Sequence, residues 1–153
     1  MNLKLHPEHL QIINNHAEST YPEECCGIML GYVAEDRKIL ITVIPTENAW
    51  NQEAVNFTVE AQSTKRRYAI APTFMLQMQR EARNSNLNII GIYHSHPDHP
   101  AIPSECDRLY AWPEYSYVIV SVKNGKADEL NSFCLDDDHQ FQAETIEDIN
   151  LTN

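Results

Sequence analysis

A chain of 153 residues is long enough to bury one substantial core, and its 42% apolar content is ordinary for a globular domain. Its 22 acidic side chains outnumber the 11 basic ones, for a formal charge of −11; nucleic acid and anionic membrane, both bound through basic patches, are therefore not expected partners. No apolar run reaches the ~20 residues of a membrane helix and no basic-then-apolar leader opens the chain, so a cytoplasmic protein is expected.

Pro7 to Ala17 predicts a first helix, with Leu10, Ile13 and Ala17 on one face and Tyr21-Pro22 ending it. Cys26 to Val33 and Arg37 to Ile44 predict two strands, joined as a hairpin across Ala34-Glu35-Asp36. Pro45 to Asn56 is polar and irregular. Phe57 to Ala71 matches neither helix nor strand, and its Lys65-Arg66-Arg67 run reads as a solvated face or as a contact for an acidic substrate patch. Pro72 to Asn84 predicts a second helix, whose Phe74, Met78 and Ala82 form a core stripe.

Asn88 to Tyr93 has the β-branched and aromatic content of a buried strand, and alternation places Ile90, Ile92, His94 and His96 on one face. Pro97, Pro100 and Pro103 make the next stretch a loop. Ser104 then caps a helix running to Ala111, where Trp112-Pro113 stops it. Tyr115 to Val122 and Ala127 to Leu135 are strands around an Asn124-Gly125 turn. Asp136-Asp137-Asp138 turns the chain again, Phe141 to Ile146 adds a short edge strand, and an acidic tail from about residue 147 frays. Cys25 and Cys26 are adjacent while Cys106 and Cys134 stand alone, so neither a disulfide framework nor a cysteine zinc site is expected. The element order implies a single α/β domain over residues 1–153, with a mixed, largely antiparallel sheet flanked by helices.

The chemistry gathers between residues 94 and 107. Two histidines at i and i+2 of a strand leave it side by side, about 7 Å apart at Cα given the ~3.3 Å rise per residue. Asp107 falls on the first turn of the following helix and can face them. Two histidines and a carboxylate are a ligand set for catalytic zinc, with the fourth tetrahedral position left to water. Two other readings stand beside this one. Ser104 and Asp107 form the S-x-x-D pattern of a plain helix cap, and His99 competes with Asp107 as third ligand. Tyr93 and Ser95 point to the other face of the strand, where packing and support are expected.

His94-Ser95-His96-Pro97 followed by Ser104-Glu105-Cys106-Asp107 resembles the signature of the JAMM (MPN+) zinc metalloproteases. The resemblance implies a deaminase-like α/β fold with a curled sheet, and one zinc with a bound water held by His94, His96 and Asp107. It implies that Ser104 helps hold the polarised carbonyl. The family's general base opens an E-x-C-G segment, here Glu24-Cys25-Cys26-Gly27, so the resemblance assigns that role to Glu24; the residues alone do not choose between Glu23 and Glu24. The run His96-Pro97-Asp98-His99-Pro100-Ala101, with Ala111-Trp112-Pro113, is similar to compact bacterial members. Some of these hydrolyse the bond after the C-terminal Gly-Gly of ubiquitin-fold sulfur carrier proteins, in one case releasing cysteine. Polyubiquitin processing is not expected, because a chain this short lacks the insertions of eukaryotic relatives. Three rivals remain: a non-enzymatic scaffold of the same fold, a general metallopeptidase, and a thiol hydrolase using Cys25 or Cys26. A zinc base deaminase is disfavoured because neither H-x-E nor P-C-x-x-C occurs.

Overall fold

In the computed structural model, which describes residues 2–49 and 68–148, the chain runs β1 (Asn2–Leu5), α1 (Pro7–Thr20), β2 (Cys26–Ala34), β3 (Arg37–Thr46), α2 (Pro72–Asn84), β4 (Asn88–Pro97), α3 (Glu105–Leu109), β5 (Ser116–Lys123), β6 (Lys126–Leu135), β7 (Phe141–Glu144) and β8 (Ile146–Asp148). The eight strands form one sheet in the order β7-β6-β5-β4-β2-β3-β1-β8. The β1–β3, β1–β8 and β4–β5 pairs are parallel and the other four antiparallel. This is the mixed α/β sheet that the sequence implies. The Lys65-Arg66-Arg67 run lies outside the described residues. Among the described residues, no helix is long and apolar enough to cross a membrane.

Strands β7 and β8 are the two edges of the sheet, yet only Thr145 separates them in the chain. The sheet must therefore curl until its edges meet. Lys38 on β3, 5% exposed, reaches across the inside of this curl and donates to Ser116 Oγ on β5 at 2.8 Å. The concave face closes on α1: Ile13 and Ala17 pack with Leu3, Leu5, Leu40, Val118 and Val120 in one buried cluster. The outer face packs under α2, where Met78 and Ala82 meet Ile28 and Leu30.

The structure departs from the sequence pattern at several points. Nothing in the pattern announces strand β1, because four residues carry too little periodicity; its neighbours β3 and β8 make it a strand. Glu147 and Asp148 do not fray: they belong to β8, and Asn2 Nδ2 donates to Glu147 Oε1 at 3.0 Å. Strand β3 continues through Pro45 to Thr46, which proline permits because β1 pairs with β3 only over Arg37–Ile39 and leaves that edge open beyond.

Strand β4 likewise runs through both histidines to Pro97. The N–H that Pro97 lacks would point to the side where β2 has already ended at Cys26, so no ladder bond is lost there. Ile90 does not share a face with Ile92. The register slips between Met29 and Leu30, which pair with Gly91 and Ile89, and the extra residue turns Ile90 into the α1 core beside Tyr93. Helix α3 has five residues and ends at Leu109, two short of Ala111.

Gly27 of the E-x-C-G segment lies against the Tyr93 ring: a Cβ there would sit 2.1 Å from Tyr93 Cε2. Tyr93 is fully buried and its hydroxyl is tied to His16 Nδ1 at 2.6 Å, so the ring has no free direction to move. Gly27→Ala is expected to destabilise the fold by about 1–3 kcal/mol, as overpacking does. Thermal melting checks this, and an unchanged midpoint would show that the β2–β4 contact can relax.

Candidate active site

Strand β4 turns His94 and His96 to its outer face, where they are 0% and 2% exposed. Their Nε2 atoms are 3.2 Å apart, and each lies 3.3 Å from Asp107 Oδ2. Asp107 reaches them from the third position of α3. There its Oδ2 accepts the Ser104 N–H at 2.8 Å, while Ser104 Oγ accepts the Asp107 N–H at 3.0 Å. The capping pair and the carboxylate facing the histidines are thus one arrangement. The Ser104 bond uses a lone pair of Oγ and leaves its hydroxyl proton to donate elsewhere.

The His96 tautomer follows from its other nitrogen. Nδ1 lies 2.7 Å from the Pro100 carbonyl, which only accepts, so Nδ1 carries the proton and Nε2 presents a lone pair to the cluster. His94 Nδ1, among the described residues, is the one buried side-chain polar atom without a hydrogen-bond partner. Among the described residues nothing hydrogen-bonds that ring from behind, and its Nε2 faces the cluster. Burial alone would raise the Asp107 pKa, but its His94 and His96 neighbours and the Ser104 N–H hold it well below the usual carboxylate range. The site therefore brings an anionic oxygen and two imidazole Nε2 atoms, that of His96 carrying its lone pair, to one point.

The spacing fits a tetrahedral ion. Donors at ~2.0–2.1 Å from zinc stand about 3.3–3.4 Å apart, and the three distances here are 3.2, 3.3 and 3.3 Å. Three donor atoms converging at this spacing would be stabilised by a cation at their centre. A second potential metal group joins Glu24, His96 and His99, whose donor atoms lie within 4.8 Å of one another. His96 has one open nitrogen, so the two groups cannot hold separate ions at once. His99 donates Nδ1–H to the Pro97 carbonyl at 2.8 Å and stacks on the His96 ring at 4.2 Å, outside the triangle.

Glu24 lies just ahead of β2, 2% exposed, whereas Glu23 points to solvent. Tyr68 stacks on His94 at 4.3 Å and 21°, and burial pushes its phenol well above the ordinary value. The sequence gives no hint of this contact, since Tyr68 falls in a stretch with no period of either kind. A groove of about 570 Å³ beside the triangle is lined by Tyr68, Met75, Asp107, Leu109 and Ala111, together with Trp112, which is 61% exposed. Cys25 and Cys26 are buried, and desolvation pushes both thiols up, Cys25 to about 12. A thiol hydrolase needs a thiolate, and this environment suppresses it.

The profile of the family described as prokaryotic homologs of the JAB domain matches residues 6–136. The CysO-cysteine peptidase of Mycobacterium tuberculosis is 29% identical over 119 residues, covering 77% of this chain and 72% of that protein. The desampylase of Haloferax volcanii is 27% identical over 101 residues; the match covers 65% of this chain and 63% of that protein's length. A JAB1/MPN domain protein from Archaeoglobus fulgidus has the same fold, with a TM-score of 0.56, 15% identity, and coverage of 98% of this chain and 100% of that one.

Proposed function

Because the chain belongs to the family of prokaryotic homologs of the JAB domain, we propose that it is a zinc-dependent peptidase that hydrolyses the amide bond after the C-terminal Gly-Gly of a ubiquitin-fold sulfur carrier protein. It acts as one domain over residues 1–153, in the cytoplasm. The observation that carries the reading is the triangle of His94, His96 and Asp107 donor atoms at 3.2–3.3 Å with buried Glu24 beside it. His94, His96 and Asp107 would hold the ion. Zinc bound there supplies Lewis-acid polarisation of a carbonyl and acidifies water. Glu24 takes the proton of the attacking water and returns it to the leaving amine. Ser104 donates its free hydroxyl proton to the carbonyl oxygen as negative charge develops on it; losing one such donor typically costs ~10²–10³ in turnover.

The names of two relatives, CysO-cysteine peptidase and desampylase, support a protein carrier as substrate. The groove beside Asp107 supports a chain that arrives extended, with the carrier body resting against the exposed Trp112. Two glycines present no side chains, so they pass where larger residues clash. A non-enzymatic scaffold would have no use for three converging metal donors beside a buried Glu24, and this disfavours that reading.

The test is mass spectrometry of a Gly-Gly-ended carrier bearing one extra C-terminal residue, before and after incubation. Release of that residue is expected. Replacing the final carrier glycine by valine should abolish release while the carrier stays folded. A free peptide with the tail sequence alone should be cut poorly, because it lacks the binding energy of the body. Equal cleavage of the peptide, or tolerance of valine, would make the enzyme a general metallopeptidase.

A further inference from the structure

The peptide unit joining Glu24 to Cys25 is gripped at both ends by side chains from elsewhere in the chain. Its carbonyl, from Glu24, accepts from Asn48 Nδ2 at 3.0 Å. Its N–H, from Cys25, donates to Ser95 Oγ at 2.8 Å. Ser95 is fully buried and sits between His94 and His96, facing the opposite side of β4. It also takes Cys25 by the backbone, donating its own N–H to the Cys25 carbonyl at 3.1 Å. A regular antiparallel pair would exchange two backbone bonds at this point. Here the serine hydroxyl intercepts one of them, and the β2–β4 ladder ends at Cys26–His94. Asn48 is anchored in turn, its Oδ1 accepting the Ala69 N–H at 3.1 Å.

Fixing a peptide plane places the adjacent Cα and confines its side chain to a cone about the Cα–C bond. This plane directly follows Glu24, whose carboxylate lies within 4.8 Å of the His96 and His99 donor atoms. We propose that Ser95 and Asn48 are positioning residues that aim Glu24 at the reacting water. This rests on the assignment of Glu24 as general base. The middle residue of the His-Ser-His run thereby acquires a role of its own. One strand carries two ion ligands on one face and, on the other, the hydroxyl that registers the base against them. Neither side chain needs to touch substrate.

The experiment compares Ser95→Ala, Asn48→Ala and Asn48→Asp with the wild type, using a carrier substrate that the wild type cleaves. Asn48→Asp keeps the shape and the acceptor for Ala69 but loses the donor to Glu24, so it separates aim from loop anchoring; it also supplies a variant should buried Ser95→Ala fail to fold. Each variant is expected to bind one zinc and to lose about 10–100-fold in kcat with KM changed less than threefold, the pattern of an interaction that matters in the transition state. The Cys25 amide should exchange with solvent faster in Ser95→Ala. The decisive arm repeats each substitution in a Glu24→Gln background, where no further loss is expected because there is no base left to aim. Unchanged kcat in Asn48→Asp, or a full additional loss in the Glu24→Gln background, overturns the proposal while leaving the base assignment intact. An active Glu24→Gln single variant removes the assignment itself, and this inference with it.

Discussion

Replacing Glu24 by glutamine is expected to leave the fold and the zinc content intact and to lower hydrolysis by about 10²–10⁴-fold, the contribution of a positioned proton-transfer group. The substitution is close to isosteric in a side chain that is 2% exposed, so it costs little packing. Stability should hold, which separates a chemical loss from an unfolded enzyme. Glu23 is exposed, one residue away, and Glu23→Gln should stay within about twofold of wild type, as surface changes usually do. Steady-state rates on the carrier adduct, with zinc measured on the same samples, check both. A dead Glu23→Gln beside an active Glu24→Gln would mean that the E-x-C-G register has been read one residue off.

Loss of the ion should follow from loss of any corner of the triangle. His94→Ala and Asp107→Ala are expected to purify with little zinc and no hydrolysis, whereas His99→Ala should retain a full equivalent. Asp107→Ala has a second consequence. Its carboxylate accepts the Ser104 N–H, so the substitution also removes one of the two reciprocal bonds of the capping box, a cost of about 0.5–1.5 kcal/mol, while Ser104 Oγ still caps the backbone N–H at position 107. Asp107→Asn keeps an acceptor at that position and isolates the effect on the ion from the effect on the cap. Chelation of the wild type should lower its melting temperature, since zinc at 100 times its Kd stabilises by about 2.7 kcal/mol. Full zinc in Asp107→Ala would move the third ligand elsewhere, with His99 the first candidate.

The His94–Asp107 unit is legible in the sequence because its chemistry is local. Two histidines on a strand, a proline-punctuated loop and a capped helix start all lie within one short stretch, and each follows a rule of its own. Glu24 is a different case: one acidic residue of a pair, seventy positions earlier, which only a resemblance singles out from the sequence, and whose burial the fold then supplies. Strict alternation puts Ile90 on the wrong face because it cannot see a bulge, and the bulge exists only as a mismatch between two strands. Asn48 and Tyr68 give no signal, since a hydrogen bond to a distant peptide leaves no local pattern. Strands β1 and β8 escape the pattern for the same reason: a strand of three or four residues is made by its neighbours.

The adjacency of the last strand to the first has a consequence for how the molecule comes into being. Leu3 to Leu5 pair with Ile146 to Asp148, across nearly the whole length of the described chain. During synthesis β1 can find β3 early, but one of its flanks stays bare until residue 148 has left the ribosome. The hairpins β2–β3 and β5–β6 join neighbours in sequence and can form while the chain is still growing; the seam cannot. Contacts this distant carry the largest loop-closure cost and are favoured late in folding. A ribosome-stalled or truncated chain ending at Glu144 would therefore have an intact His94–Asp107 segment beside an unpaired strand edge open to pairing with another molecule.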